Sequence, residues 1–175
     1  MAKTIAGIGL TAIVLFIFGF LYWGISPLPY TALNSAADQE AALADIKRHF
    51  PDTGAYMVPA AANMELLAEG SQAVVYVDHE IPASQPDPAS MALGLVHNIL
   101  MALVVFLLLR HQEGMSQHLK TGALVGLAAV VVIEGSDTLW WLYPLSWKIH
   151  SVVYHFLCFV LAAALLSKFM PARQE

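Results

Sequence analysis

Four runs of about twenty apolar residues leave this chain very few ways to fold. They lie at Ile5 to Trp23, Ser90 to Leu109, Thr121 to Leu142 and Trp147 to Phe169. About 20 helical residues rising ~1.5 Å each cross a hydrocarbon layer of ~30 Å. Lipid offers no hydrogen bonds to the backbone, so each such run must satisfy its own peptide groups, and a helix does this. The composition agrees: 58% of the 175 residues are hydrophobic, and the mean hydropathy of +0.65 is high for a water-soluble domain. The predicted class is a mainly α polytopic membrane protein, with four transmembrane helices and a small α+β extracytoplasmic insert between helices 1 and 2. Its parts are an anchor helix over 1–24, the insert over 25–89 and a three-helix portion over 90–175.

The first run is longer than the apolar core of a signal peptide, and no clean small-x-small cleavage site follows closely, so it reads as a retained anchor. Tyr22 and Trp23 end it as interfacial aromatics, and Pro27 and Pro29 stop the helix. Trp140, Trp141 and Trp147 belong to a second aromatic belt, so that Trp23, Trp140, Trp141 and Trp147 are the expected interfacial anchors. Lys3, Arg110, Lys120, Lys168 and Arg173 all fall on one side if both termini are cytoplasmic, which leaves only Lys148 beside a span on the other. This places residues 25–89 outside.

The insert has a different chemistry. Residues 38–87 carry nine of the thirteen acids against two bases, Lys47 and Arg48, and are the source of the chain's negative net charge of -5. Nucleic acid is thereby excluded as a partner. Ser35 followed by Asp38 has the spacing of a capping box, and Ala41, Ile46 and Phe50 suggest a helix over 36–50, ended by the Pro51-Asp52-Thr53-Gly54 turn. Ala55 to Val58 and Ala73 to Val77 have strand character, with a helix over 61–69 closed by Gly70. Pro82, Pro86 and Pro88 mark an extended linker. A domain of about 65 residues is marginal alone, so it is expected to lean on the bundle or on a partner.

Ionisable residues inside apolar spans are costly and are a functional hypothesis by default. Counting ~1.5 Å per residue from the outer ends, His97, Glu134, Asp137 and His155 all lie about 8–12 Å deep, with His150 nearer the surface. They form the predicted intramembrane polar cluster. One reading is structural: His97, Glu134 and His155 hydrogen-bond to one another and fix helix register. The other is a metal or haem site, because imidazoles and a carboxylate at one depth on facing helices suit a buried transition metal, and a histidine pair can ligate haem. A proton relay through Glu134 is a variant of the second. His150 and His155 are five apart, about 140° round a helix, so they cannot aim at one point. Asp78, His79 and Glu80 read as a solvated loop, as do His111 and His118 between spans two and three. Cys158, the only cysteine, reads as a small core residue. No HExxH, GxSxG, P-loop or dinucleotide motif is present.

The opening VLFIFGFLYWGISPLPYTAL, the segment DQEAALADIKRHFPDTGAYMVP and the run EGSQAVVYV resemble a family of uncharacterised small bacterial four-helix integral membrane proteins. Their pattern is an anchor helix, a Leu-Pro pair and a short outer domain with a G-x-Y-x-x-P motif, here Gly54, Tyr56 and Pro59. Pro29-Tyr30-Thr31 stands where that pattern has Pro-Trp-His. The resemblance implies a bacterial inner membrane location and the topology above, with no activity attached. Two functions follow as expectations. The first is a non-catalytic accessory or scaffolding subunit whose acidic outer domain docks on a larger membrane complex, with the bilayer and other membrane subunits as partners and no cofactor. Small residues such as Gly7, Gly19, Gly94, Gly122 and Gly126 would permit close helix contact. The second is a metal-, haem- or pigment-binding protein using His97, Glu134 and His155.

Overall fold

A computed structural model describes residues 2–70, 72–80, 87–141 and 143–170. Pro82, Pro86, Leu142 and Arg173 of the reading above lie outside the described residues. The chain is mainly helical, with one two-stranded sheet. Four helices are long and apolar enough to cross a membrane: Ala2–Ile25, Pro88–Leu109, Met115–Trp140 and Leu145–Ser167. At 22 to 26 residues each, they are about 33–39 Å long, enough for the hydrocarbon core with some tilt. The chain divides into two compact units, residues 1–33 with 89–175, and residues 34–88.

In the first unit, α1 (Ala2–Gly19) runs into a wider π-helical turn, Phe20–Ile25. Residues 25–33 belong to this unit rather than to the insert. They form a tight turn over Pro29–Ala32 with Pro29 buried, and the Tyr30 hydroxyl donates to the Trp23 carbonyl at 2.6 Å. The second span is α4 (Pro88–Leu109). The third is continuous from α5 (Met115–Ala129) through a π-helical turn at Val130–Glu134 to α6 (Gly135–Trp140), and the fourth is α7 (Leu145–Ser167).

Helix α7 is the centre of this unit, packing against both α5 and α1. The approach to α5 depends on glycine. A Cβ at Gly122 would stand 2.6 Å from the Ala163 Cβ and 2.9 Å from the Phe159 carbonyl oxygen, and one at Gly126 would stand 3.1 Å from the Phe159 Cβ. Gly122-x-x-x-Gly126 thus opens a groove for Phe159 and the fully buried Ala163; close packing of this kind holds apolar helices together in lipid. Leu15, Val105, Leu109, Cys158 and Leu166 complete the core. At the other end of the α1–α7 contact, Phe18, Tyr22 and Trp23 gather round Tyr154 with ring centroids 5.4–5.7 Å apart.

The third span begins at Met115, six residues before the expected start, because Gly114 at φ +82° lets the chain turn into a helix there. This corrects the solvated reading of His118. It lies inside α5 with 3% exposure, one ring nitrogen 2.8 Å from Ser167 Oγ and the other 3.1 Å from the Gln112 carbonyl. His118 therefore ties the α4–α5 connection to the end of α7.

The second unit is built from short local elements: α2 (Gln39–His49), β1 (Gly54–Val58), α3 (Met64–Ala68) and β2 (Ala73–Val77). The cap of α2 is Asp38, whose carboxylate accepts from the Ala41 amide at 2.9 Å, so the helix starts at 39 rather than 36. A carboxylate suits the positive end of a helix better than the Ser35 hydroxyl one turn earlier. Strands β1 and β2 pair antiparallel, with Tyr56 opposite Val75. Helix α3 is shorter than expected. The Asn63 side chain caps it by accepting from the Leu66 amide at 3.2 Å, and Gly70 at φ +86° closes it.

Candidate functional site: a buried ion-pair network between the third and fourth spans

Glu134 ends the π-helical turn of the third span and is 3% exposed. Both of its oxygens are occupied. Oε2 accepts from Lys148 Nζ at 2.8 Å, and Oε1 lies 2.6 Å from His155 Nδ1. Asp137, one helical turn further on, accepts from the same ammonium at 2.5 Å. The face of the Tyr143 ring lies 4.7 Å from Lys148 Nζ and adds a cation–π contact. Thr138 shares the face and turns its hydroxyl back to the Glu134 carbonyl at 2.9 Å.

The geometry follows from helical spacing. Glu134 and Asp137 are three apart on the third span, and Lys148 and His155 are seven apart on α7, so each pair falls on one face of its helix. The short connection through Pro144 makes these two helices antiparallel neighbours, and the faces meet. Lys148 sits in the first turn of α7, the end where a positive charge is least welcome to the helix dipole. The two carboxylates hold it there. Carboxylates and ammonium sum to one negative charge, which a proton on His155 would neutralise.

Of the expected cluster, the structure brings together Glu134, Asp137 and His155, and adds Lys148, which sequence reasoning had left as an outer-side base. The seven-residue spacing from Lys148 to His155 was the available signal. His97 does not join. It is exposed on α4, and the residue that faces inward beside it is Asn98, with its side-chain amide donating to the Gly94 carbonyl at 2.8 Å. His97 instead lines a cavity of about 240 Å³ together with His155. His150 lies apart from the network, beside the first span. Its carbonyl accepts from the Tyr22 hydroxyl at 3.2 Å, and its ring Nδ1 is 3.5 Å from the same oxygen.

Among the described residues no three His, Cys, Asp or Glu side chains converge as metal ligands. His79 of the Asp78-His79-Glu80 segment places a ring nitrogen 2.7 Å from the Phe50 carbonyl, and Asp78 accepts from the Glu80 amide at 2.8 Å. Of the four expected interfacial tryptophans, Trp140 and Trp141 are widely exposed. Trp23 and Trp147 pack on each other at 5.4 Å. The chain matches no protein-family model, no curated protein and no solved structure.

Proposed function

We propose that this chain is a non-catalytic accessory or scaffolding subunit of a bacterial cytoplasmic membrane, with both termini inside and the acidic unit outside, docking on a larger membrane complex. The observation that carries the reading is in the unit of residues 34–88. None of its described side chains is buried, and Met57, Met64, Leu66, Val74 and Tyr76 all stand exposed. A folded segment with no interior of its own is completed by contact with something else. Nine acids against two bases in that segment select a partner surface that is apolar with a basic rim. The ion-pair network fits the same role. With both Glu134 oxygens taken by neighbouring side chains, it serves to fix the third span against the fourth.

Photo-crosslinking in native membranes tests the docking. A photoreactive residue at Tyr76 should give one discrete adduct with a membrane protein, and Glu65→Lys with Glu69→Lys should weaken it. Adducts that are diffuse, or indifferent to the charge reversal, would remove the reading. The orientation is tested separately. A cysteine introduced at Asp52 should be labelled from outside intact cells and one at Gln117 should be protected, and the reverse pattern would invert the topology.

A further inference from the structure

The histidine that closes the ion-pair network leaves one edge of its ring unused. Lys148 holds Glu134 as a carboxylate at 2.8 Å, and a carboxylate can only accept, so the short contact at Oε1 requires the proton on His155 Nδ1. In its neutral form His155 then presents a bare Nε2, an acceptor fixed in direction by its partner, as an outer carboxylate commonly fixes a functional imidazole. The side chain is 47% exposed, and it borders the cavity of about 240 Å³, whose other walls include His97, Met101, Ile133, Tyr154 and Phe159.

Size narrows the occupant. An apolar cavity of about 150 Å³ accepts a benzene ring, and sites for drug-sized molecules begin near 300 Å³, so this cavity suits one substituted ring. Position narrows it further. The walls come from three helices of membrane-spanning length, so the ligand must be soluble in lipid. Chemistry narrows it last: an acyl chain cannot use the Nε2 lone pair, and a carbonyl would oppose one acceptor to another, whereas a hydroxyl donates to it. His97, on a different span, supplies a hydrogen-bonding group for a second oxygen.

We propose that this cavity binds a lipid-soluble hydroquinone, one ring hydroxyl donating to His155 Nε2, the ring lying among Met101, Tyr154 and Phe159, and any tail in the bilayer. This goes beyond the accessory role and does not depend on it.

The test uses the full chain in lipid nanodiscs and a radiolabelled decyl-1,4-hydroquinone kept reduced. One saturable site per chain is expected. The dimethyl ether of the same molecule, which has lost its donors, should bind about tenfold more weakly, equivalent to about 1.4 kcal/mol and in the range of a single hydrogen bond. The oxidised quinone should also bind more weakly. His155→Phe should reproduce the tenfold loss, and Met101→Trp, which fills the cavity, should abolish binding. Absence of saturable binding, equal affinity for the ether or the quinone, or normal binding by either variant would overturn the proposal. Should a variant fail to fold, the comparison of the three ligands on the unaltered protein decides alone.

Discussion

In the unit of residues 1–33 and 89–175, buried side chains come from distant parts of the chain, with Leu15, Val105, Cys158 and Leu166 meeting in one core. In residues 34–88 most of the bonds that give shape are local: Asp38 to Ala41, Tyr56 to Asp52 and Asn63 to Leu66, each spanning three or four residues. Longer links are the β1–β2 ladder and the contacts of His79 with Phe50 and Thr53. The first unit is thus held by close packing and charge pairing in an apolar setting, the second by caps and a hairpin beside solvent. The same kind of substitution should therefore have very different consequences in the two.

The largest effect is expected at the ion pairs. Lys148→Met leaves Glu134, 3% exposed, and Asp137 without their shared cation. Breaking a buried pair by removing one partner costs about 3–5 kcal/mol, whereas replacing all partners by apolar groups can be nearly neutral. Lys148→Met combined with Glu134→Gln and Asp137→Asn should accordingly recover much of the loss. Reversible unfolding in mixed micelles measures both. A single variant as stable as the parent would show that the network adds nothing to the contrast between the units.

The next effect concerns packing. Gly122→Leu would place a branched side chain where a Cβ alone already stands 2.6 Å from Ala163 and 2.9 Å from a backbone oxygen of α7. Because backbone cannot yield as a side-chain tip can, α5 and α7 must separate, at about 1–3 kcal/mol or more. An equivalent change at Gly54, where nothing lies within 4 Å, should be much better tolerated. Equal losses at the two sites would remove the distinction between a unit with a tight interior and one without.

How much of this was legible beforehand differs between features. The four spans were readable because about twenty apolar residues in a row constrain structure through length alone. The strands were readable from Val and Tyr content, with ends displaced by no more than one residue. Depth counting placed Glu134, Asp137 and His155 at one level. It could not tell which way His97 points, because a rotation of about 100° per residue puts Asn98 inward instead. Lys148 was misjudged because bases beside spans usually reach for water, and only its spacing from His155 marked it as an inward-facing group. His118 was misjudged for a related reason: a polar stretch reads as a loop until a positive-φ glycine is seen to start a helix within it. The π-helical turn that ends on Glu134 has no comparable sequence mark.

The smallest effect lies in the acidic unit, and it tests the comparison from the other side. Asp38 caps α2 by accepting from the Ala41 amide at 2.9 Å, and its charge also meets the positive end of the helix dipole. Asp38→Ala should cost about 0.5–2 kcal/mol, but only within the cooperative reach of α2. Hydrogen exchange should therefore quicken at the α2 amides, while those of α5 and α7 keep their protection, since local opening follows the contacts that cross a segment. Asp38→Asn, which keeps the accepting oxygen and loses the charge, should retain most of the cap and so separate the hydrogen bond from the dipole. If exchange in α7 rose along with α2, the two units would share one unfolding transition, and the acidic unit would be stabilised by the bundle rather than held by its own caps.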